Sequence, residues 1–328
     1  MRRERARAPS RLSARSPSRP AAMRLDRSCR RARVATRSGR KRRARDRRGP
    51  RPRRRGARSL SRWVGFHGRK ARMSPAALTF DRYMREHYDA VPGMSSAFAA
   101  HVCAATMRLQ RERGWGGDAA EIGAFEGRFL IALALGLQPG ERALAIDLYD
   151  WPDIHVGLRL RERLAGLGLA ERVDIVCADS RRLAPQRLGG EGGRAIRFFH
   201  IDGDHQPQSL ARDMALAFAC MAPWGVICLD DMLSPAYPEL GIAVAQALQA
   251  NPQWAVFCVV DREDIAAAAK FLLCRQEYAQ AYGEALAREF ADRVWGMQAQ
   301  FARHRALVLA PRPRLTRFNP GGSVDPVQ

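Results

Sequence analysis

The chain contains almost no lysine, although it is strongly basic. Arginine supplies nearly all of the positive charge, and the only lysines are Lys41, Lys70 and Lys270. Of the 56 basic and 33 acidic side chains, residues 1–72 hold 29 basic and 3 acidic ones. That leaves 27 basic and 30 acidic side chains, a net charge of −3, for residues 73–328. The net charge of +23 is therefore a property of the N-terminal segment.

Paired cysteine motifs and long apolar runs are also lacking. The seven cysteines include no C-x-x-C pair, which argues against a zinc or disulfide scaffold and favours reduced thiols in a cytoplasmic protein. No apolar run approaches the roughly 20 residues of a membrane span. The basic N-terminus also lacks the apolar core of a secretory signal. We therefore expect a cytoplasmic protein without a membrane partner.

The segment 1–72 combines arginine, serine and proline with few aliphatic residues, a composition that predicts a disordered tail. Electrostatic attachment to nucleic acid or anionic lipid is one interpretation, and a transit-like peptide is another. The third is that the segment has no function and that translation begins at Met73. The arginine bias extends through the chain, so we expect a nucleic-acid partner, if any, for the tail alone.

From Met73 onward the pattern predicts helices followed by alternating strands and helices. Apolar residues spaced three and four apart predict N-terminal helices within 76–113. Six short apolar strands then alternate with helices in the core 118–275, and either "AKFLLCR" or "RALVLA" supplies a seventh. This alternation predicts an α/β fold with a Rossmann-like, doubly wound, mostly parallel seven-stranded sheet. We expect one domain over 73–312 and a tail over 313–328.

The first strand ends in the turn "EIGAFEG", which contains Glu121, Gly123 and Gly127. Glycine after a strand permits a tight turn and lets backbone N–H groups approach a ligand at the following helix. The spacing differs from the G-x-G-x-x-G of dinucleotide binders. A plain turn between strand and helix is the alternative interpretation.

The second and third strands end in polar residues. Asp147 follows the glycine turn by about twenty residues, where an acid can accept hydrogen bonds from both ribose hydroxyls. Asp179 and Ser180 follow the third strand, where they would meet an adenine amino group. Capping of the next helix is the alternative for these residues.

Three acids end the fourth and fifth strands: Asp202, Asp230 and Asp231. If the strands are neighbours, their ends lie about 5 Å apart, and the carboxylates repel one another unless some are protonated or a cation lies among them. Oxygen ligands suit Mg²⁺, and separate helix capping is the alternative. His205 follows Asp202 by three residues and is suited to act as a general base near pH 7.

Together these residues resemble a class I S-adenosylmethionine-dependent methyltransferase, and more closely the metal-dependent O-methyltransferases of the catechol and macrocin type. The resemblance covers about residues 118–235 and rests on the "E-x-G-x-F-x-G" turn and on "HIDGDH" with "LDDM". It implies that the methionyl end of the cofactor faces Glu121, Gly123 and Gly127, the ribose Asp147, and the adenine Asp179 and Ser180. It also implies that Asp202, Asp230 and Asp231 hold Mg²⁺ and that His205 is the catalytic base.

The function implied by the resemblance is metal-assisted O-methylation of a small-molecule hydroxyl of the sugar or natural-product type. Four alternatives stay open: a metal-independent methyltransferase, an oxygenase-like member of the same fold group, a nicotinamide-dependent oxidoreductase and a nucleic-acid-binding protein. The segments before residue 115 and after residue 232 are expected to shape the acceptor pocket. The sequence leaves the acceptor open, and a homo-oligomer is compatible with it.

Overall fold

The structure is a computed structural model that describes residues 78–188, 195–264 and 267–312, with the backbone of 316–318 and 324–326. The segment 1–72, predicted to be disordered, and most of the predicted tail 313–328 lie outside these ranges.

The described helices are α1 (Phe80–Glu86), α2 (Ala97–Glu112), α3 (Arg128–Leu135), α4 (Val156–Gly166), α5 (Pro207–Cys220), α6 (Glu239–Ala250) and α7 (Gln276–Glu289). The strands of the main sheet are β1 (Asp118–Ile122), β2 (Ala143–Asp147), β3 (Val173–Cys177), β4 (Ile196–Ile201), β5 (Met221–Met232), β6 (Trp254–Val260), β7 (Ala269–Arg275), β8 (Ala299–Phe301) and β9 (His304–Leu309). A separate antiparallel pair joins β10 (Thr316–Phe318) to β11 (Val324–Pro326).

The main sheet has nine strands in the order β3-β2-β1-β4-β5-β7-β6-β9-β8. Strands β1 to β5 pair in parallel, and β7 runs antiparallel between β5 and β6. The predicted Rossmann-like, mostly parallel sheet is confirmed, but seven strands is too few. The segments "AKFLLCR" and "RALVLA" both form strands, β7 and β9, and β9 pairs with the three-residue strand β8.

Helices cover both faces of the sheet, which explains why its central strands are buried along their whole length. Every residue of β1, β4 and β6 is buried, as expected for strands between two helical layers. One apolar cluster includes residues of α1, α2, α3, α4 and α7, and the other includes residues of α5 and α6. No helix in the described part of the chain has the length and apolar character to cross a membrane.

The first two helices begin at side-chain caps. The hydroxyl of Thr79 accepts a hydrogen bond from the backbone N–H of Arg82, and that of Ser96 accepts one from Ala99. Such caps satisfy N–H groups that a helix leaves without a partner in its first turn. Between the two helices the segment 92–95 passes over the carboxyl ends of the central strands and lines the cavity found there.

The strand order reverses between β1 and β4, and Gly123 makes the turn at this point possible. The backbone N–H of Asp202 donates to the carbonyl of Ile122 (2.9 Å), which brings the two strand ends into contact. Gly123 has φ +82°, and a Cβ placed there would lie 1.6 Å from the carbonyl oxygen of Asp202. Only glycine fits this close approach in the left-handed region.

Candidate active site

A cavity of about 260 Å³ lies at the carboxyl ends of the strands, where their order reverses. Its walls come from the turn after β1, the ends of β2 and β3, the loop between β4 and α5, and the segment 92–95. Ligands of open α/β sheets bind at this type of position. The cavity is therefore the candidate site, and 92–95 is one of the segments expected to shape an acceptor pocket.

Most of the predicted cofactor residues line this cavity: Glu121, Gly123, Asp147, Asp179 and Ser180. Gly127 does not touch it but caps α3 with φ +90°, where a Cβ would lie 2.5 Å from the side chain of Leu160. Its role in the structure is thus to let α4 pack closely against the start of α3.

Asp147 holds the turns around it in place. Its Oδ2 accepts a hydrogen bond from the backbone N–H of Phe125, and its Oδ1 accepts one from Tyr149, both at 2.8 Å. Each carboxylate oxygen has a second lone pair, so the side chain can accept further hydrogen bonds from a ligand while it fixes the glycine turn.

Glu121 is buried at the end of β1 with an incomplete set of partners. Its Oε1 lies 2.8 Å from Nδ1 of His200 on β4. Its Oε2 has no hydrogen-bond partner among the described residues. Burial raises the pKa of this carboxyl group above its usual value. A buried acceptor without a donor costs free energy, so this atom is suited to a ligand that donates a hydrogen bond.

A buried chain of polar groups continues from His200 to Asp230. The ammonium of Lys270 lies 3.1 Å from Nε2 of His200 and contacts Oδ2 of Asp230. It also lies 4.7 Å from the centre of the Phe129 ring, which stacks on His200. The geometry fits an imidazole that donates from Nδ1 to Glu121 and accepts at Nε2. Lys270 is completely buried, so its charge requires the Asp230 carboxylate.

A β-bulge separates the two acids at the end of β5. Leu229 pairs with Phe271 and Met232 pairs with Ala269, so Asp230 and Asp231 together face the single residue Lys270. Asp231 has φ +58°. Because a bulge re-aims side chains, Asp230 contacts the lysine, whereas Asp231 contacts His205.

The Asp231 carboxylate lies 3.0 Å from Nδ1 of His205 in the loop after β4. The imidazole also stacks on the ring of Tyr237 with 4.4 Å between the ring centres. The hydrogen bond to Asp231 raises the pKa of His205, although partial burial opposes the shift. Asp231 thus orients a histidine that lines the cavity.

Asp202 stands between these two pairs. Burial and the neighbouring Asp230 charge raise the pKa of its carboxyl group well above the usual value. Potential metal-ligand atoms within 4.8 Å of one another occur in two overlapping groups, His200–Asp202–Asp230 and Asp202–His205–Asp231.

The three predicted metal ligands therefore lie near one another, but Asp230 and Asp231 belong to different groups and share only Asp202. Asp230 already pairs with the Lys270 cation, so it is poorly suited to bind a second one. Asp202 and Asp231, with His205 as a third donor, fit a divalent ion better. An imidazole in the ligand set suits a first-row transition metal more than Mg²⁺.

At the other side of the cavity, Arg181 forms an ion pair with Asp179, the acid expected to contact the adenine. Both oxygens of Asp179 accept hydrogen bonds from the Arg181 guanidinium, at 2.9 and 3.1 Å. Burial raises the pKa of Asp213, an acid on α5, and the Ser180 hydroxyl lowers it by a smaller amount. The Asp213 side chain also lines the cavity.

Sequence reasoning missed Lys270, His200 and Asp213. Lys270 carries a usable signal, because it is the only lysine after residue 72 and interrupts an apolar strand. His200 also lies within an apolar run. Asp213 gives no such signal, because an acid in an amphipathic helix normally faces solvent.

Residues 120–232, about a third of the chain, match the model of a family described as a methyltransferase domain. The comparison with curated proteins found no match. Among solved structures the chain is similar to the O-methyltransferase TomG from Streptomyces achromogenes, involved in tomaymycin synthesis and in complex with SAM. The identity is 19%, with 59% of this chain and 86% of that chain covered and a TM-score of 0.44.

Two further structures are similar at this level. The O-methyltransferase from Bacillus cereus in complex with SAH is 16% identical, with coverage of 60% of this chain and 90% of that chain and a TM-score of 0.46. CalS11, a TDP-rhamnose 3′-O-methyltransferase of calicheamicin biosynthesis, is 16% identical, with coverage of 52% and 76% and a TM-score of 0.39.

The sheet order and the position of the cavity define a Rossmann-like α/β protein with its site at the reversal of strand order. The family match runs from β1 to the end of β5 and contains most residues that line this site. Over these residues the chain is thus similar to a methyltransferase domain, which supports the predicted enzyme class.

Proposed function

We propose that the chain is an S-adenosylmethionine-dependent methyltransferase that acts on a hydroxyl group of a small molecule. The observation that carries this proposal is the unpartnered Oε2 of Glu121 beside the cavity of a methyltransferase domain. The methionyl part of S-adenosylmethionine has an ammonium group, a donor that a buried carboxylate oxygen would stabilise.

The remaining cofactor contacts follow from the walls of the cavity. Gly123 keeps the turn after β1 close to the ligand, and Gly127 sets the start of α3 behind it. Asp147 would accept hydrogen bonds from the ribose with its remaining lone pairs, and Asp179 and Ser180 border the adenine end. When bound, S-adenosylmethionine would supply an electrophilic methyl group for transfer to the acceptor oxygen, with S-adenosylhomocysteine as the leaving group.

In this proposal His205 accepts the proton of the acceptor hydroxyl. Its Nδ1 faces Asp231 at 3.0 Å, which leaves Nε2 as the nitrogen that takes the proton. A carboxylate bonded to the other ring nitrogen fixes the tautomer and stabilises the imidazolium that forms. Tyr237 holds the ring in place by stacking.

A metal-assisted reaction is the second candidate, favoured by the group Asp202–His205–Asp231. These three residues would hold a divalent ion, which would supply a Lewis acid that lowers the pKa of the acceptor hydroxyl. Asp230, the third predicted ligand, would act indirectly by holding Lys270 beside the site.

Calorimetric titration with S-adenosylhomocysteine and, separately, with NAD⁺ tests the proposed function. We expect saturable binding of S-adenosylhomocysteine and none of NAD⁺. The variant Glu121→Gln keeps the shape of the side chain but removes its charge, and should weaken binding by about tenfold, the loss expected for one charge-assisted hydrogen bond. Binding of NAD⁺ alone would instead support the nicotinamide-dependent oxidoreductase.

A further inference from the structure

We infer that Asp213 is the residue that recognises the 6-amino group of the cofactor's adenine. This inference rests on the proposed function, because it assigns one end of the same cavity. It departs from the expectation that Asp179 and Ser180 contact the adenine directly.

Asp213 has the burial and the position expected of an acid that binds a ligand. It lies on α5, is only 2% exposed, and lines the cavity beside Ser180. Its Oδ1 has no hydrogen-bond partner in the described part of the chain. Nearly every buried polar atom of a folded protein has a partner, so this oxygen points to a ligand that supplies the donor.

Asp179 is less available for this task. The guanidinium of Arg181 occupies both of its oxygens, and the backbone N–H of Arg181 donates to Oδ1 at 3.0 Å. Arg181 therefore neutralises the acid that ends β3. Asp213, by contrast, has no such cation paired with it, and its Oδ1 accepts no hydrogen bond from the described residues.

The chemistry of the adenine edge matches this acceptor. Adenine presents an exocyclic amino group, which donates hydrogen bonds, whereas hypoxanthine and guanine present a carbonyl oxygen at the same carbon. A buried carboxylate accepts from the amine and repels the carbonyl. Asp213 would thus select adenosine over other purine nucleosides.

A different role for Asp213 makes a distinct prediction. Its Oδ2 lies 3.3 Å from the position that a Cβ on Gly203 would occupy, so the side chain also lies under the loop that carries His205. If it only supported this loop, its removal would weaken the binding of every ligand of the site equally, whatever group the purine carries at carbon 6.

The test is a double-mutant cycle measured by calorimetry with wild type and Asp213→Ala. The two ligands are S-adenosylhomocysteine and its analogue with hydrogen in place of the 6-amino group. We expect wild type to bind the analogue about tenfold more weakly, and Asp213→Ala to bind both ligands within about twofold of each other. Asp179→Ala serves as the parallel variant and should retain the discrimination of the wild type. Asp213→Asn, which keeps the volume of the side chain, covers the case in which the alanine variant does not fold, and should reduce the discrimination at least threefold.

Equal weakening of both ligands by Asp213→Ala would assign a loop-supporting role and overturn the inference. So would loss of discrimination in Asp179→Ala with Asp213 variants unaffected. In both cases S-adenosylhomocysteine still binds to wild type, so the proposed function stands. Failure of wild type to bind S-adenosylhomocysteine at all would overturn the proposed function and this inference together.

Discussion

Lys270 and Asp230 form a buried ion pair between two antiparallel strands, at the position where the bulge in β5 separates its two acids. Buried pairs of this kind add little net stability, but removing one partner leaves an uncompensated charge. The pair connects through His200 to Glu121, which lines the cavity, so this polar network reaches the wall of the site. Its integrity should therefore matter for folding as well as for ligand binding.

Lys270→Met should lower the free energy of unfolding by about 3–5 kcal/mol, because Asp230 would be left charged and buried without its partner. Urea denaturation at pH 7 measures the loss. The double variant Lys270→Met, Asp230→Asn should recover much of it, since both charges are then gone. A single variant that loses less than about 1 kcal/mol would contradict a buried ion pair.

Gly123→Ala should destabilise the protein by about 3 kcal/mol or more, because a methyl group would collide with the carbonyl of Asp202 in a left-handed backbone conformation. Gly241→Ala is a matched control on α6, where a Cβ meets nothing within 4 Å. It should stabilise the protein by up to about 1 kcal/mol, as alanine does in a helix. Equal effects of the two substitutions in urea denaturation would exclude the proposed close approach of the strands.

His205→Gln should lower the turnover number by about 10²- to 10⁴-fold, the usual contribution of a general base. The dissociation constant of S-adenosylhomocysteine should change less than about twofold, because the proposed role of His205 is in proton transfer rather than in cofactor binding. Both quantities can be measured with an acceptor found by screening hydroxyl compounds for methyl transfer from labelled S-adenosylmethionine. Full turnover in the variant would remove His205 as the base.

Binding of Mn²⁺, followed by electron paramagnetic resonance of the free ion, tests the second candidate function. If Asp202, His205 and Asp231 hold a metal, Asp231→Asn should weaken Mn²⁺ binding by at least about tenfold. The control is Asp204→Asn, because Asp204 lies in the loop that carries Asp202 and His205 but outside this group of ligands. This variant should bind Mn²⁺ as wild type does. Absence of Mn²⁺ binding in wild type, with methyl transfer that survives EDTA, would assign a metal-independent reaction.

The sequence predicts the order of strands and helices well, because each central strand is a short apolar run followed by an amphipathic helix. It also places Asp202, Asp231 and His205 at neighbouring strand ends. It could not predict that Asp230 pairs with Lys270, because that contact depends on an antiparallel strand that returns from more than thirty residues away and on a bulge. Likewise, only the packing of α5 against β4 and against the turn 180–182 shows that Asp213 is buried.

Asp213→Asn should make the protein more stable at pH 8 and leave its stability near pH 4 almost unchanged. Burial is the main reason why the pKa of Asp213 is raised to about 6 in the folded state, with Asp204 and Asp179 adding to the shift and Ser180 and Arg181 opposing it. An acid whose pKa is higher in the folded state than in the unfolded state destabilises the native state progressively as the pH rises from the unfolded-state pKa to the folded-state pKa. Above the folded-state pKa the destabilisation is constant. The gain at pH 8 should be on the order of 2–3 kcal/mol.

Urea denaturation of both proteins at pH 4.5, 6 and 8 measures the difference in free energy of unfolding. The control is Asp292→Asn on the surface, which should change the free energy of unfolding by less than about 0.5 kcal/mol at each pH. If the stability gained by Asp213→Asn does not grow with pH, the Asp213 side chain is not a buried carboxylate in the folded protein. That result would also remove the acceptor proposed for adenine.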